Sequence, residues 1–199
     1  MKTPYNEIVN IASIGSQTNP ISLNEILRKA NDEQLTPAAQ NKERVLFLGI
    51  DVQQDFMDNG ALGVPGAHGD VERMTQFIYN NMDKITNIAV SIDTHTPHQI
   101  FHPCWWIDEN GNNPAPYTPI TLADLDSGKY RAVIYPRQSR DYVEHLEKDG
   151  KKTLCVWSYH CLQGTSGAAF ENQFANMIYF HSVAKKAVTQ RLVKGQDPL

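Results

Sequence analysis

The stretch Arg44-Val-Leu-Phe-Leu-Gly-Ile-Asp51 decides the fold class of this 199-residue chain. Its apolar run from Val45 to Ile50 is unbroken, which is typical of a central parallel strand buried on both faces. A carboxylate follows the run at once. Because ligands of open parallel α/β sheets bind beyond the carboxyl ends of the strands, we expect Asp51 to face a functional crevice.

A second segment repeats this pattern, since Ile88-Ala-Val-Ser-Ile92 runs directly into Asp93-Thr-His95. A Gly- and Pro-rich loop at residues 59–66 and a helix capped by Asp70 separate the two strands. The apolar positions of that helix have helical spacing and are Val71, Met74, Ile78 and Met82. Strand, helix and strand together predict a right-handed βαβ unit and an α/β fold.

Composition and charge exclude several classes of protein. Hydrophobic residues make up 41% of the chain, the net charge is -4, and Lys and Arg are dispersed, which does not fit a nucleic-acid-binding protein. No segment has the pattern of a signal peptide or a transmembrane helix. The three cysteines lack C-x-x-C spacing and predict reduced thiols in a cytoplasmic protein.

The rest of the chain alternates between helical and extended patterns. We predict a helix after Ser22, a long polar region over residues 96–129, and a helix capped by Ser139. The remaining predicted elements are short strands at residues 133–135 and 153–157, a helix over 164–180, and a strand over 188–193 that ends in Lys194-Gly195.

Asp93 and His95 form the first candidate site. Side chains two positions apart on an extended chain project to the same side, so a carboxylate and an imidazole can converge. His98, His102 and His160 are candidates for a third ligand. Such a set suits Zn²⁺, Fe²⁺ or Mn²⁺ with positions left open. The alternative is that Asp93 and His95 only hydrogen-bond a loop.

Two further groups of residues could carry chemistry. His160 precedes a Gly/Ser turn that opens a predicted helix, and Cys161 beside it is either a nucleophile or inert packing. Asp51 could act as a general base, with Lys194 keeping it ionised and stabilising an oxyanion. The alternatives are a loop cap for Asp51 and a solvated surface charge for Lys194.

Five segments, taken in chain order, resemble the nicotinamidase/pyrazinamidase branch of the isochorismatase-like cysteine hydrolases. They are residues 51–56, 60–66, 93–95, 157–167 and 194–195. The resemblance implies a three-layer α/β/α fold with a mainly parallel sheet. It also implies hydrolysis of a small-molecule amide, nicotinamide in the type reaction, to an acid and ammonia through a Cys thioester.

The resemblance also assigns roles to individual residues. Asp51 matches the family's proton acceptor and Lys194 matches the residue that supports it. Phe56 and Trp157 match aromatic positions that pack the substrate ring. The metal ligands correspond to Asp93, His95 and His160, with zinc as the expected ion and iron or manganese as alternatives.

The chain departs from the family pattern in three ways. None of Cys104, Cys155 and Cys161 matches the nucleophilic cysteine, so we expect an incomplete fragment unable to run the full reaction. Gln99 falls near the place of a further family histidine, for which His98 or His102 could substitute. The third departure is a long insertion around residues 103–150.

These departures bear on domain organisation and association. We predict an N-terminal helical extension over residues 1–43 and a partial hydrolase domain over 44–199. A fragment would expose the edge and faces of its first strand, which favours a homo-oligomer or aggregation.

Other functions remain open at this point. A non-catalytic module that binds a small molecule or a metal would keep Asp93, His95 and His160 without a nucleophile. An amidase of the same family could act on a different amide. A non-haem Fe²⁺ oxygenase also uses two histidines and a carboxylate, but the α/β pattern and the position of Asp51 argue against it.

Overall fold

A computed structural model describes residues 1–199, which form two compact units. The first unit comprises Met1–Asp93 and Gly164–Lys194, and the second comprises Thr94–Gln163 and Gly195–Leu199. The helices are α1 (Leu23–Asn31), α2 (Ala67–Asn80), α3 (Leu122–Asp126), α4 (Pro136–Lys148) and α5 (Asn172–Ala184). The strands are β1 (Leu46–Gly49), β2 (Asn87–Asp93), β3 (Trp106–Asp108), β4 (Pro119–Ile120), β5 (Tyr130–Ala132), β6 (Leu154–Cys155) and β7 (Gln190–Lys194).

The first unit contains a three-stranded sheet in the order β1-β2-β7. Both strand pairs are parallel; Leu48 lies beside Ala89, and Asp93 lies beside Lys194. Helix α2 connects the parallel strands β1 and β2, so the predicted strand-helix-strand order and the α/β fold are confirmed. The right-handed crossover stays a prediction. The carboxyl ends of β1 and β2 carry Asp51 and Asp93, which brings these residues to the same edge of the sheet.

The expectation that β1 is a central strand buried on both faces is wrong. It lies at the edge of the sheet, and Leu46 and Ile50 are 59% and 63% exposed. The opposite face is covered, because a Cβ added at Gly49 would lie 2.8 Å from the ring of Phe174 in α5. An unbroken apolar run therefore does not reveal whether other elements cover both faces.

The core of the first unit lies among β1, β2 and the helices α1, α2 and α5. Its fully buried side chains include Ile26 of α1, Ile78 of α2 and Phe174 of α5. Burying each such side chain contributes about 1.5–3 kcal/mol. Residues 1–43, predicted as a helical extension, belong to this unit and contain α1 and three short 3-10 helices.

Helix α2 begins at Ala67, three residues before the predicted cap Asp70. The reason is a carboxylate from the preceding loop. Asp58 accepts hydrogen bonds from the backbone N–H groups of Gly66 (2.6 Å) and His68 (2.8 Å), which satisfies donors at the start of the helix. These bonds hold the pKa of Asp58 below its usual value.

Helix α5 begins at Asn172 rather than at residue 164, and a short 3-10 turn, Ser166–Ala168, stands in the preceding segment. The buried Glu171 carboxylate caps α5 by accepting from the Phe174 N–H (2.8 Å), and it also accepts from the Gly15 N–H (3.1 Å). Burial raises the pKa of Glu171 despite these bonds. The cap ties the N-terminal segment to the helix.

The second unit has two small antiparallel sheets, β3-β5 and β4-β6, and two helices, α3 and α4. The strand expected at 133–135 is β5, three residues earlier, and the strand expected at 153–157 is the two-residue β6. Helix α4 begins at Pro136 instead of after Ser139. The Ser139 hydroxyl is buried and accepts a hydrogen bond from the Trp105 indole N–H (2.9 Å).

None of the five α-helices combines the length and the apolar character that crossing a bilayer requires.

Candidate active site

Lys194 is the last residue of β7 and contacts two carboxylates. One belongs to Asp51, which follows β1, and the other belongs to Asp93, which ends β2. Its ammonium nitrogen lies 3.1 Å from Oδ1 of Asp51 and 2.5 Å from Oδ1 of Asp93. Partial burial lowers the pKa of Lys194, but the two carboxylates outweigh that effect and the net shift is upward. The side chain is therefore an ammonium ion at neutral pH, not the isolated surface charge that remained an alternative.

The side chain of Asp51 is held by Ser91 as well as by Lys194. Asp51 has a left-handed backbone conformation (φ 56°), which is uncommon for a residue with a side chain. Ser91 on β2 donates to the Asp51 carboxylate (2.7 Å) and accepts from the Asp51 N–H (3.0 Å). These bonds direct the carboxylate toward the edge where β2 and β7 end.

Gln53 fixes the backbone of Asp93. This glutamine is fully buried, its amide oxygen accepts from the Asp93 N–H (2.7 Å), and its amide nitrogen donates to the Asp93 carbonyl (2.9 Å). The same nitrogen donates to the Ala168 carbonyl (2.8 Å). Both functional groups of Gln53 are thus used to position the end of β2.

A cavity of about 450 Å³ lies beside Asp51 within the first unit. Its wall is mainly apolar and includes Ile50, Phe56, Val64, Val71 and Met74. A cavity of this size with an apolar wall and few polar groups is the usual form of a small-molecule site. Phe56 is therefore placed at the cavity that also holds the predicted general base.

In the second unit, His95 and His160 lie side by side with their ring centroids 4.7 Å apart. Nδ1 of His95 is 3.0 Å from the Gly195 carbonyl, and Nδ1 of His160 is 2.8 Å from the Ser158 carbonyl. Because a carbonyl can only accept, both Nδ1 atoms carry the proton. In the neutral form of each ring the lone pair is then on Nε2, the arrangement that metal-binding histidines use.

The three predicted metal ligands are brought together. Asp93, His95 and His160 are buried, and one potential ligand atom from each lies within 4.8 Å of the others. Two neutral imidazoles and one carboxylate fit Zn²⁺, Fe²⁺ or Mn²⁺. The donor set thus fits a divalent ion.

The other two histidines of this region have different environments. His98 is exposed, whereas His102 is fully buried with its ring centroid 5.7 Å from that of His160. Burial lowers the pKa of His102 to about 4, and the neighbouring His160 and His95 act in the same direction. His102 is therefore neutral at physiological pH.

The remaining site candidates lie in the second unit. Trp157 is partly exposed and packs edge-on against Tyr117, with ring centroids 6.0 Å apart. All three cysteines belong to this unit, whereas Asp51 and Lys194 belong to the first. Cys161 is buried and its carbonyl accepts a hydrogen bond from the His95 N–H (3.0 Å). Burial raises the pKa of Cys155, which disfavours a thiolate there.

Sequence reasoning missed Ser91 and Gln53. Both residues lie inside segments that were singled out, but their types carried no signal, because serine and glutamine are common in strands and loops. Their roles depend on partners about 40 positions away along the chain, Asp51 for Ser91 and Asp93 for Gln53.

No family model and no curated protein matches the sequence. Among solved structures, the chain is similar to the yeast nicotinamidase Pnc1p, with 17% identity and a TM-score of 0.50; the match covers 78% of this chain and 58% of that one. An Acinetobacter baumanii nicotinamidase/pyrazinamidase has 18% identity and a TM-score of 0.45, covering 80% and 55%. The Pyrococcus horikoshii pyrazinamidase, solved in complex with zinc, has 18% identity and a TM-score of 0.40, covering 79% and 54%.

At this level of identity the comparison with the yeast enzyme bears on the fold alone. The chain spans 58% of the length of that enzyme. Its parallel sheet with packed helices has the α/β architecture of that enzyme.

Proposed function

We propose that this protein is a metal-containing amidohydrolase of the nicotinamidase type, acting on nicotinamide or a closely related aromatic carboxamide. The fold shared with a nicotinamidase supports the proposal, as does the convergence of the predicted residues at the ends of β1, β2 and β7. In it, Asp51 and Lys194 carry out proton transfer and charge stabilisation. Asp93, His95 and His160 hold the metal.

One observation carries most of the argument: Lys194 touches both Asp51 and Asp93. A carboxylate held within hydrogen-bond reach of an attacking nucleophile can accept its proton. The same ammonium can stabilise the negative charge that develops on the amide oxygen as its carbonyl carbon is attacked.

The metal, when bound, would supply a positive charge that orients a ring nitrogen or a water molecule. The chain's own residues do the rest of the positioning. Gln53 fixes the backbone of Asp93, and the Gly195 and Ser158 carbonyls fix the tautomers of His95 and His160. Such outer contacts hold the donor atoms in place before an ion arrives.

The proposed substrate pocket is the cavity beside Asp51. Phe56 in its wall offers a flat apolar surface against which an aromatic ring can stack. The proposed zinc ion and the second aromatic residue, Trp157, remain inferences from the resemblance. The resemblance also implies a cysteine nucleophile, and none of the three cysteines matches its position in the family.

The test is binding and turnover of nicotinamide by the zinc-loaded protein, measured by calorimetry and by ammonia release. We expect nicotinamide to bind the zinc-loaded protein and to bind weakly or not at all after zinc is removed. Asp51→Asn, which keeps the shape but not the charge, should abolish any ammonia release. Binding that is indifferent to zinc, or no binding, would contradict the proposal.

The second candidate is a non-catalytic module that binds an aromatic amide or a metal. It is favoured by the sequence, because none of Cys104, Cys155 and Cys161 matches the position of the family's nucleophilic cysteine. A zinc-dependent nicotinamide complex with no ammonia release, from wild type and Asp51→Asn alike, would support the module over the enzyme.

A further inference from the structure

His102 has a buried ring nitrogen that belongs neither to the proposed metal ligands nor to the cavity beside Asp51. Its side chain is fully buried, and Nε2 has no hydrogen-bond partner within the protein. Native proteins pair the great majority of their buried polar atoms, so an isolated ring nitrogen needs an explanation. Packing alone does not supply one, because an apolar side chain would fill the same space without this cost.

The tautomer of His102 is fixed in the same way as those of the two predicted ligands. Its Nδ1 lies 3.1 Å from both the Thr96 and the Pro97 carbonyl oxygens, and therefore carries the proton. The lone pair is on Nε2, so this atom can only accept a hydrogen bond or bind a cation.

Three imidazoles of the second unit, those of His95, His102 and His160, form one cluster. The His102 ring packs edge-on against both others, with centroid distances of 5.9 Å to His95 and 5.7 Å to His160. The ring of Tyr159 covers another side at 5.0 Å. His102 nevertheless stays outside the close group of ligand atoms formed by Asp93, His95 and His160. These ring separations suit a contact between His102 and a molecule bound to the ion, rather than a direct bond from His102 to the ion.

We propose that Nε2 of His102 accepts a hydrogen bond from a water molecule that is itself bound to the metal. The inference rests on the proposed metal centre of Asp93, His95 and His160. The water donates one O–H to Nε2, which pairs the buried nitrogen and fixes the direction of the water's remaining lone pair and proton. His102 is thus a positioning residue for a metal-bound water.

The experiment measures zinc affinity of the full 199-residue chain by competition with a chromogenic chelator. The variants are His102→Phe, which keeps the ring volume but removes the acceptor, and His102→Gln, whose amide oxygen can accept the same bond. His98→Ala is the matched control, because His98 belongs to the same segment and is exposed. Circular dichroism of each metal-free variant establishes that it is folded, and His102→Ala replaces His102→Phe if the larger ring does not fit.

We expect His102→Phe to weaken zinc binding about 10–100-fold, the usual effect of removing an outer contact of a metal site. His102→Gln should recover part of the affinity, and His98→Ala should bind like wild type. Equal affinity of His102→Phe and His98→Ala would overturn the proposal.

X-ray absorption of the zinc-loaded protein separates a water-mediated role from direct ligation. We expect two imidazole ligands in both wild type and His102→Phe. If the number of imidazole ligands falls from three in wild type to two in His102→Phe, His102 binds the ion directly and the water-mediated assignment is wrong. If the wild-type chain binds no zinc, both the proposed metal centre and this inference are wrong. Zinc binding without any nicotinamide complex would contradict the proposed function alone.

Discussion

Ser91 and Asp51 form a reciprocal pair across the β1-β2 junction: the serine hydroxyl donates to the aspartate carboxylate at 2.7 Å and accepts from its backbone N–H at 3.0 Å. The pair holds Asp51 in a left-handed conformation that few residues other than glycine adopt. Unfavourable backbone conformations of this kind persist where surrounding contacts enforce them, often at functional sites. The proposed general base is therefore held by Ser91 as well as by Lys194.

Replacing Ser91 with alanine should lower the free energy of unfolding by about 1 kcal/mol, since it removes hydrogen bonds to a charged group and to a backbone N–H. Urea unfolding of the two proteins measures the difference. Ser127→Ala removes a hydroxyl that donates to a backbone carbonyl at the exposed end of α3, and should change stability by no more than about 0.5 kcal/mol. Equal effects of the two substitutions would contradict the role of Ser91.

Adding zinc should stabilise the protein against unfolding. At a free zinc concentration about 100 times the dissociation constant, the expected gain is about 2.7 kcal/mol, because the ion binds the folded state. Thermal unfolding with zinc and with a chelator measures the gain. His160→Ala should remove most of it, whereas His98→Ala should retain it. Retention of the full gain in His160→Ala would contradict the assigned ligand set.

Asp83 should contribute a pH-dependent part of the stability of the first unit. The buried Lys185 ammonium lies 3.1 Å from Asp83 Oδ1 and 3.2 Å from Asn41 Oδ1. Desolvation raises the pKa of Asp83, but the hydrogen bonds from Lys185 and the Thr36 N–H outweigh it, and the net shift is downward from 3.8. Folding therefore favours the ionised carboxylate.

Stability from Asp83 is thus fully present above its unfolded pKa and is lost as the pH falls through the lower, folded pKa. Asp83→Asn should cost about 1 kcal/mol at pH 7, a modest value because Asp83 is 58% exposed and water screens the pair. The cost should shrink as the pH falls below 3.8. A difference that stays constant from pH 7 to pH 3 in urea unfolding would contradict this linkage.

In the second unit, Ser139→Ala should destabilise the fold by about 1–3 kcal/mol. The substitution leaves the buried Trp105 indole N–H without its acceptor at 2.9 Å. A double-mutant cycle provides the control: in a Trp105→Phe background the donor is absent, so Ser139→Ala should cost less. Additive effects of the two substitutions would show that the hydrogen bond does not couple them.

The exposed edge of β1 should promote self-association through pairing with a second copy of the chain. Leu46 and Leu48 are exposed on β1, and Ile50 is exposed just after it. The outer backbone groups of β1 have no neighbouring strand. Leu48→Lys should reduce association in sedimentation velocity at high protein concentration. Val188→Lys makes the same change at an exposed residue outside the strands and should have a smaller effect. Equal effects would point to general apolar exposure instead.

The sequence by itself determined the three parallel strands and the residues at their ends. The extended patterns before Asp51, Asp93 and Lys194 are local, and parallel pairing then brings their carboxyl ends to one edge. The alternation of strands and helices was enough to predict the α/β class. Residue types and spacing were enough to propose Asp93 and His95 as candidate metal ligands, but they left His98, His102 and His160 open as the third. Only the family resemblance selected His160.

Only the tertiary structure decided where helices begin, which face of β1 is covered, and which side chains support the site. Asp58 and Glu171 set the starts of α2 and α5 by accepting from backbone N–H groups. Ser91 and Gln53 act on residues about 40 positions away. Burial and hydrogen bonding between distant segments depend on the packing of the whole chain, so periodicity along a short stretch carries no record of them.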